Sequence, residues 1–92
     1  MHTVSAKLTF YIAGSGSLKD KRQIRRSLID KTRQRFNVSA AEVGTQESHK
    51  ILTVGVALVS GEAGHAQESL DEVIRYMDGQ TDAELTGVEH WS

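Results

Sequence analysis

The stretch that decides the fold lies near the start of the chain and reads TVSAKLTFYIA, residues 3–13. Its apolar and polar residues alternate strictly, and the apolar set is Val4, Ala6, Leu8, Phe10 and Ile12. A period of two over about ten residues predicts a β-strand with one buried face. The run Gly14-Ser15-Gly16 predicts the end of that strand, because glycines favour turns.

A helix is predicted directly after this strand. Ser17 can cap the helix N-terminus, and Asp20 three residues later completes a capping box. Asn37 is the predicted stop, which gives a helix of about 20 residues. Apolar residues recur at helical spacing on one broad face, at Leu18, Ile24, Leu28, Ile29 and Phe36.

The rest of the chain predicts three more strands and one more helix. They are a strand at 38–45, a strand at 50–60, a helix between the break at 61–64 and Gly79, and a strand at 83–91. The order is therefore β-α-β-β-α-β, and right-handed crossovers place both helices on one face of a four-stranded antiparallel sheet. We predict an α+β fold, a ferredoxin-like sandwich, formed by residues 1–92 as a single domain.

Length and composition narrow the class of protein. The chain has 92 residues, of which 38% are hydrophobic and 25% are charged, as expected for one small globular domain with a thin core. It has no cysteine, which excludes disulfides and thiol chemistry and favours a reducing location. The longest apolar run, 54–59, is far too short to span a membrane. We therefore expect a cytoplasmic protein without membrane contact.

The charge is distributed unevenly, although the net charge is only −1. Residues 17–36 contain eight basic and two acidic residues, whereas the rest of the chain contains three basic and ten acidic residues. At about 100° per residue, Lys19, Arg22, Arg26 and Arg33 form a narrow line beside the apolar face of the first helix, and Lys21 lies on the other flank. Arg25 falls inside the apolar arc, so either its stem lies along the core edge or the helix is exposed there.

Cations about one helical turn apart suit contacts with a phosphate backbone. The sequence therefore predicts a nucleic-acid-binding site at Lys19, Lys21, Arg22, Arg26 and Arg33, with RNA as the expected partner. The alternative is a solvated helix face that uses Lys and Arg for helix propensity and solubility.

Nothing in the sequence indicates catalysis or a metal site. The four histidines share no metal-ligand spacing, and no local set of acid, base and nucleophile stands out. We expect no catalytic residues, no metal and no cofactor. Glu42, in the middle of the second predicted strand, is expected to be exposed or to face the sheet edge.

One face of the predicted sheet has no helix over it, and its composition is mixed. Tyr11 is the only aromatic residue that the first strand adds to it, so base stacking of the RRM type is not expected there, and nucleic acid is expected at the helix instead. This face is either solvated or packs on a second copy as a homodimer. A small-molecule regulatory domain of the ACT type shares the fold, but no motif for a ligand is present.

Two segments carry a resemblance to a known family. SLKDKR at 17–22 and FNVSAAEV at 36–43, followed by a Val-rich strand, resemble the YlxP-like family of small bacterial proteins of unknown function. The resemblance implies a ferredoxin-like fold and a cytosolic protein. The family's gene often lies near genes for transcription elongation, translation initiation and ribosome maturation, which implies RNA or the ribosome as partner. Arg25 and Thr32 depart from the family pattern, which has apolar residues there.

Overall fold

The computed structural model describes residues 1–91 and contains four strands and two helices. In chain order they are β1 (His2–Tyr11), α1 (Leu18–Arg35), β2 (Ser39–Glu42), β3 (Ile51–Ser60), α2 (Ala63–Gly79) and β4 (Glu84–Trp91). The strands form one antiparallel sheet in the order β2-β3-β1-β4. The predicted element order and the ferredoxin-like α+β fold are thereby confirmed.

The pairing of the two central strands, β1 and β3, places their apolar side chains on one face of the sheet. β1 and β3 pair along their whole length, from His2 opposite Ser60 to Tyr11 opposite Ile51. This register puts the apolar set of the β1 alternation on the same face as alternate residues of β3, and both helices cover that face. The residues of the two strands that are buried there are Val4, Ala6, Leu8, Phe10, Leu52, Val54, Val56 and Leu58.

The two helices cover different parts of the sheet. α2 packs on β1 and β3, and its inner stripe is fully apolar (Ala66, Leu70, Val73 and Met77). α1 packs on β2 and against α2. Phe36, the residue directly after α1, meets Tyr76 of α2 edge to face with ring centroids 5.3 Å apart. α1 therefore covers the edge strand, and two of its buried residues, Lys21 and Thr32, are polar. The hydroxyl of Thr32 forms its hydrogen bond within the helix, since Oγ1 donates to the Leu28 carbonyl at 2.7 Å.

The ends of α1 and β2 differ slightly from the sequence prediction. The cap is confirmed, because Ser17 Oγ accepts from the Asp20 N–H at 3.1 Å. α1 ends at Arg35, before the predicted stop, since Phe36 already has an extended backbone. β2 ends at Glu42 rather than at residue 45. The reason is Gly44, whose φ of 96° turns the chain away from the sheet.

Substituting Gly44 with alanine should destabilise the fold, because an L side chain is strained at this positive φ. We expect Gly44→Ala to lower the free energy of unfolding by about 1 kcal/mol, measured by urea denaturation. Gly61→Ala is the matched control, since Gly61 has no positive φ and open space around its Cα. The control should be neutral or slightly stabilising, and equal effects of the two changes would contradict this account.

Candidate nucleic-acid interface

Four of the predicted basic residues lie exposed along one side of α1. They are Lys19, Arg22, Arg26 and Arg33, and we call them the basic stripe. Their spacings of three, four and seven residues keep them within about 60° of one another around the helix. With a rise of about 1.5 Å per residue, the basic stripe is about 21 Å long. It is therefore a linear array of cations rather than a cluster.

No acidic side chain neutralises the basic stripe within residues 1–91, where none of its members forms an ion pair. α1 contains two acids, Asp20 and Asp30. Asp20 is used at the helix N-terminus, where its Oδ2 accepts from the Gly16 N–H at 3.1 Å. Asp30 is exposed and lies beside the stripe, one turn from Arg26. The stripe therefore presents its charge to solvent with one carboxylate near it.

Arg33 has a contact that the other stripe residues lack. Its Nη2 donates to the Ala40 carbonyl of β2 at 2.9 Å. Val43 directs its N–H at β3, to the Thr53 carbonyl, so the alternation of an antiparallel strand turns the Ala40 carbonyl towards the free edge of the sheet. Arg33 thus covers an acceptor that an edge strand would otherwise leave open. The basic stripe accordingly runs along the side of α1 that lies nearest the β2 edge.

The prediction that Lys21 contacts nucleic acid is wrong, because Lys21 is only 2% exposed. Its ammonium group lies 2.8 Å from Glu42 Oε2. It also donates to the Ser48 carbonyl at 2.6 Å and to the Thr45 carbonyl. An ammonium group has three N–H donors, of which the two carbonyls take two, while the third faces Glu42. Lys21 therefore links α1 to β2 and to the turn that follows β2 through buried polar contacts.

The expectation that Glu42 is exposed or faces the sheet edge is also wrong. Its side chain is 6% exposed and points towards α1, on the same side of β2 as the buried Ala40. Arg25 provides its second partner, with Nη1 3.1 Å from Glu42 Oε1. This contact explains why an arginine lies in the apolar arc of α1. We call Lys21, Arg25 and Glu42 the buried charge cluster.

The two cations decide the protonation state of Glu42. Burial alone raises the pKa of a carboxyl group, because it penalises the charged form. Here hydrogen bonds from Lys21 and Arg25, together with their positive charges, outweigh burial and lower the pKa of Glu42 below its ordinary value of 4.5. Glu42 is therefore ionised at neutral pH, and the cluster contains one anion between two cations.

The sequence itself contains a signal for this cluster. Lys21 and Arg25 are four residues apart and are charged residues on the buried face of α1, while Glu42 shares the parity of Ala40 in β2. Two cations and one acid on facing surfaces indicate a pair once α1 is known to cover β2. Of the basic residues in 17–36, the six that remain exposed are Lys19, Arg22, Arg26, Lys31, Arg33 and Arg35.

Residues 1–91 contain neither a cluster of metal-ligating side chains nor a membrane-spanning helix. No group of three or more His, Cys, Asp and Glu side chains in this part of the chain is arranged to hold a metal ion. None of the helices within the same residues is long and apolar enough to cross a lipid bilayer.

Fold and surface define a small ferredoxin-like domain with a basic helix lying over an edge strand. The chain belongs to the family described as "Protein of unknown function (DUF503)", whose family profile matches residues 3–90. It is 31% identical over 75 residues to the uncharacterized protein YlxP of Bacillus subtilis (strain 168), and the match covers 82% of each chain. The resemblance to a YlxP-like family is thereby confirmed.

Removing the charge of Glu42 should be strongly destabilising, because it leaves two cations unpaired, one of them fully buried. We expect Glu42→Gln to lower the free energy of unfolding by about 3 kcal/mol. The double variant Lys21→Met/Glu42→Gln should recover part of that loss, since it removes the buried cation as well. Urea denaturation of the three proteins measures both effects.

The matched control is Glu89→Gln, which breaks the Lys7–Glu89 ion pair at 3.5 Å between two exposed side chains. Such pairs contribute about 0.5 kcal/mol or less. If Glu42→Gln were as mild as Glu89→Gln, the buried charge cluster would have no part in stability.

The lowered pKa of Glu42 also predicts how stability depends on pH. A carboxyl group with a depressed pKa in the folded state contributes stability above its unfolded pKa and loses it as pH falls through the folded pKa. The contribution of Glu42 should therefore be complete at neutral pH and decline below about 4.5. The difference in unfolding free energy between the wild type and Glu42→Gln should shrink as pH is lowered from 7 to 3. A constant difference over this range would contradict the prediction.

Proposed function

We propose that this protein is a non-catalytic RNA-binding protein that contacts the phosphate backbone of structured RNA through the basic stripe. The observation that carries the proposal is the exposure of four cations along about 21 Å of α1, with no ion pair formed by any of them within residues 1–91. A surface that only needs solubility would intersperse both signs of charge.

The geometry favours a structured target over a flexible single strand. Proteins that bind single strands without sequence preference stack bases on aromatic side chains. α1 contains no aromatic residue on which a base could stack, so the basic stripe offers only charged donors to phosphates. A row of cations a turn or more apart fits phosphates that a folded RNA already holds in place. The choice of RNA, the ribosome included, is supported by the gene neighbourhood that the YlxP-like resemblance implies, and it agrees with a cytosolic location.

The number of cations that can contact phosphates determines the expected affinity for RNA and its dependence on salt. Lys19, Arg22 and Arg26 have no other hydrogen-bond partner within residues 1–91, whereas Arg33 would have to share its guanidinium with the Ala40 carbonyl. Three to four phosphate contacts give a slope of log K against log salt of about −3. The binding should therefore weaken steeply between low and physiological salt.

Fluorescence anisotropy with a labelled RNA hairpin at several salt concentrations tests the proposal. Arg22→Glu and Arg26→Glu should each weaken binding about tenfold and make the salt slope shallower by about one, because each removes a phosphate contact. Arg75→Glu is the matched control, since Arg75 is exposed on α2, away from the stripe. It should bind like the wild type.

Two results would overturn the proposal: no binding at low salt, or equal binding by the three charge-reversal variants. Circular dichroism of each variant establishes that it is folded. Co-sedimentation with ribosomal subunits, repeated with Arg22→Glu, tests whether the same surface serves for the ribosome.

A further inference from the structure

The helix-free face of the sheet is the second distinctive surface of the molecule. The registers place the odd-numbered residues of β1 and β3 on it, together with Glu89 and Trp91 of β4 and Ser39 and Ala41 of β2. Five large hydrophobic side chains are exposed within residues 1–91, and all but Met1 lie on this face or at its rim: Tyr11, Val43, Val59 and Trp91. Such a concentration on one face is typical of an interaction surface.

The face is not flat. A shallow depression of about 360 Å³ crosses it, and its lining includes the bulky Val43 and Trp91 as well as four small residues: Ser39, Ala41, Gly55 and Ala57. Gly55 keeps the floor low, and an added Cβ there would come within 3.3 Å of Val43 Cγ1. Trp91 lies on the opposite edge strand and is 51% exposed. The face therefore has a bulky edge at β4 and a small-residue edge at β2.

This asymmetry makes the face complementary to itself. Two sheets that pack face to face lie about 10 Å apart with strands nearly aligned. A two-fold axis parallel to β1 and β3, between them, places β4 of one copy over β2 of the other. In the sheet, Trp91, Ser5, Ala57 and Ser39 form one row across the four strands. The axis therefore sets Trp91 of each copy above the small residues around Ser39 of the other, and the contact is isologous.

The charges on this face also favour a second copy over a nucleic acid. Its charged residues are Lys7, Glu84 and Glu89, and Lys7 pairs with Glu89 at 3.5 Å. A nearly neutral, slightly acidic surface does not attract phosphates. In the two-fold arrangement, Lys7 faces Gly55 and Glu89 faces Ala41, because each pair lies in one row at mirrored positions. No two like charges are brought together.

The face is large enough for a specific but modest dimer. The strands have ten, four, ten and eight residues. At about 3.3 Å by 4.8 Å per strand residue, the sheet face measures about 500 Å². Two such faces bury on the order of 1,000 Å², which is the lower limit for a specific interface. Interfaces at this low end of the range are typical of weak, transient association.

We infer that the helix-free sheet face is the interface between two copies of this chain, packed about a two-fold axis parallel to β1 and β3. This inference is independent of RNA binding, since it uses the opposite side of the sheet.

Sedimentation equilibrium and tryptophan fluorescence test it on the same samples. Trp91 is the only tryptophan, so its emission reports on this face alone. As concentration rises from about 1 to 500 μM, the mass should approach that of a dimer, the emission should shift to shorter wavelength and acrylamide quenching should fall. Ala57→Arg places a charge in the centre of the face and should raise the dissociation constant at least about tenfold. Ala63→Arg, at the exposed start of α2, is the matched control and should dimerise like the wild type.

A monomer at every concentration, with unchanged Trp91 emission, would overturn the inference and leave the face solvated or open to another partner. A dimer that Ala57→Arg does not weaken would overturn it too, because the contact would then involve another face.

The orientation of the two copies has its own test, because the chain has no cysteine. Glu89 and Ala41 are three strand spacings apart within one chain, about 14 Å, whereas the facing positions of two packed sheets are about 10 Å apart. A thiol-reactive cross-linker that spans about 10 Å should therefore join the double variant Ala41→Cys/Glu89→Cys into a covalent dimer. Ala63→Cys/Glu89→Cys is the control and should not. Equal cross-linking of the two variants would contradict the two-fold arrangement.

Discussion

The ion pair between Lys21 and Glu42 determines how the first helix sits on the sheet. α1 covers the short edge strand, which offers few apolar side chains to pack against, and it buries only two large apolar residues of its own. The buried charge cluster supplies the missing contact. Two charges taken out of water need close pairing and hydrogen bonds to be tolerated. Lys21 has both, whereas Glu42 Oε2, 2.8 Å from the ammonium group, accepts no well-aligned hydrogen bond.

The contacts of Lys21 and Arg25 with Glu42 also determine which residues of α1 face the solvent. Arg22 and Arg26 directly follow Lys21 and Arg25, so each lies about 100° further round α1. With Lys21 and Arg25 held against Glu42, their two neighbours must point to the side of the domain. The buried charge cluster and the basic stripe are thus two consequences of one helix rotation. Because the stripe lies on the helix layer and the proposed dimer interface on the bare sheet face, two copies can associate without covering either stripe.

Much of the fold could be predicted from the sequence because its signals are local. The alternation in residues 3–13 indicates a strand regardless of what it pairs with, and the Ser17 cap acts within one turn. The buried position of Lys21 could not be predicted, because the contacts that determine it are not local. A charged residue on a helix is assigned to solvent unless a partner is known, and its partners lie 21 to 27 residues away, in β2 and the turn after it. Only the packing of α1 on β2 brings them together, and no helical periodicity contains that information.

The buried charge cluster has a consequence for the order in which the chain assembles. Lys21 and Glu42 close a loop of about 21 residues, whereas the pairing of Ser5 with Trp91 closes one of about 86. Two doublings of loop length add about 1 kcal/mol of closure entropy, so the helix, the edge strand and their connecting turn can come together before the last strand docks. The contact between α1 and β2 therefore closes a loop about four times shorter than the β1–β4 pairing that completes the sheet, and it costs less closure entropy.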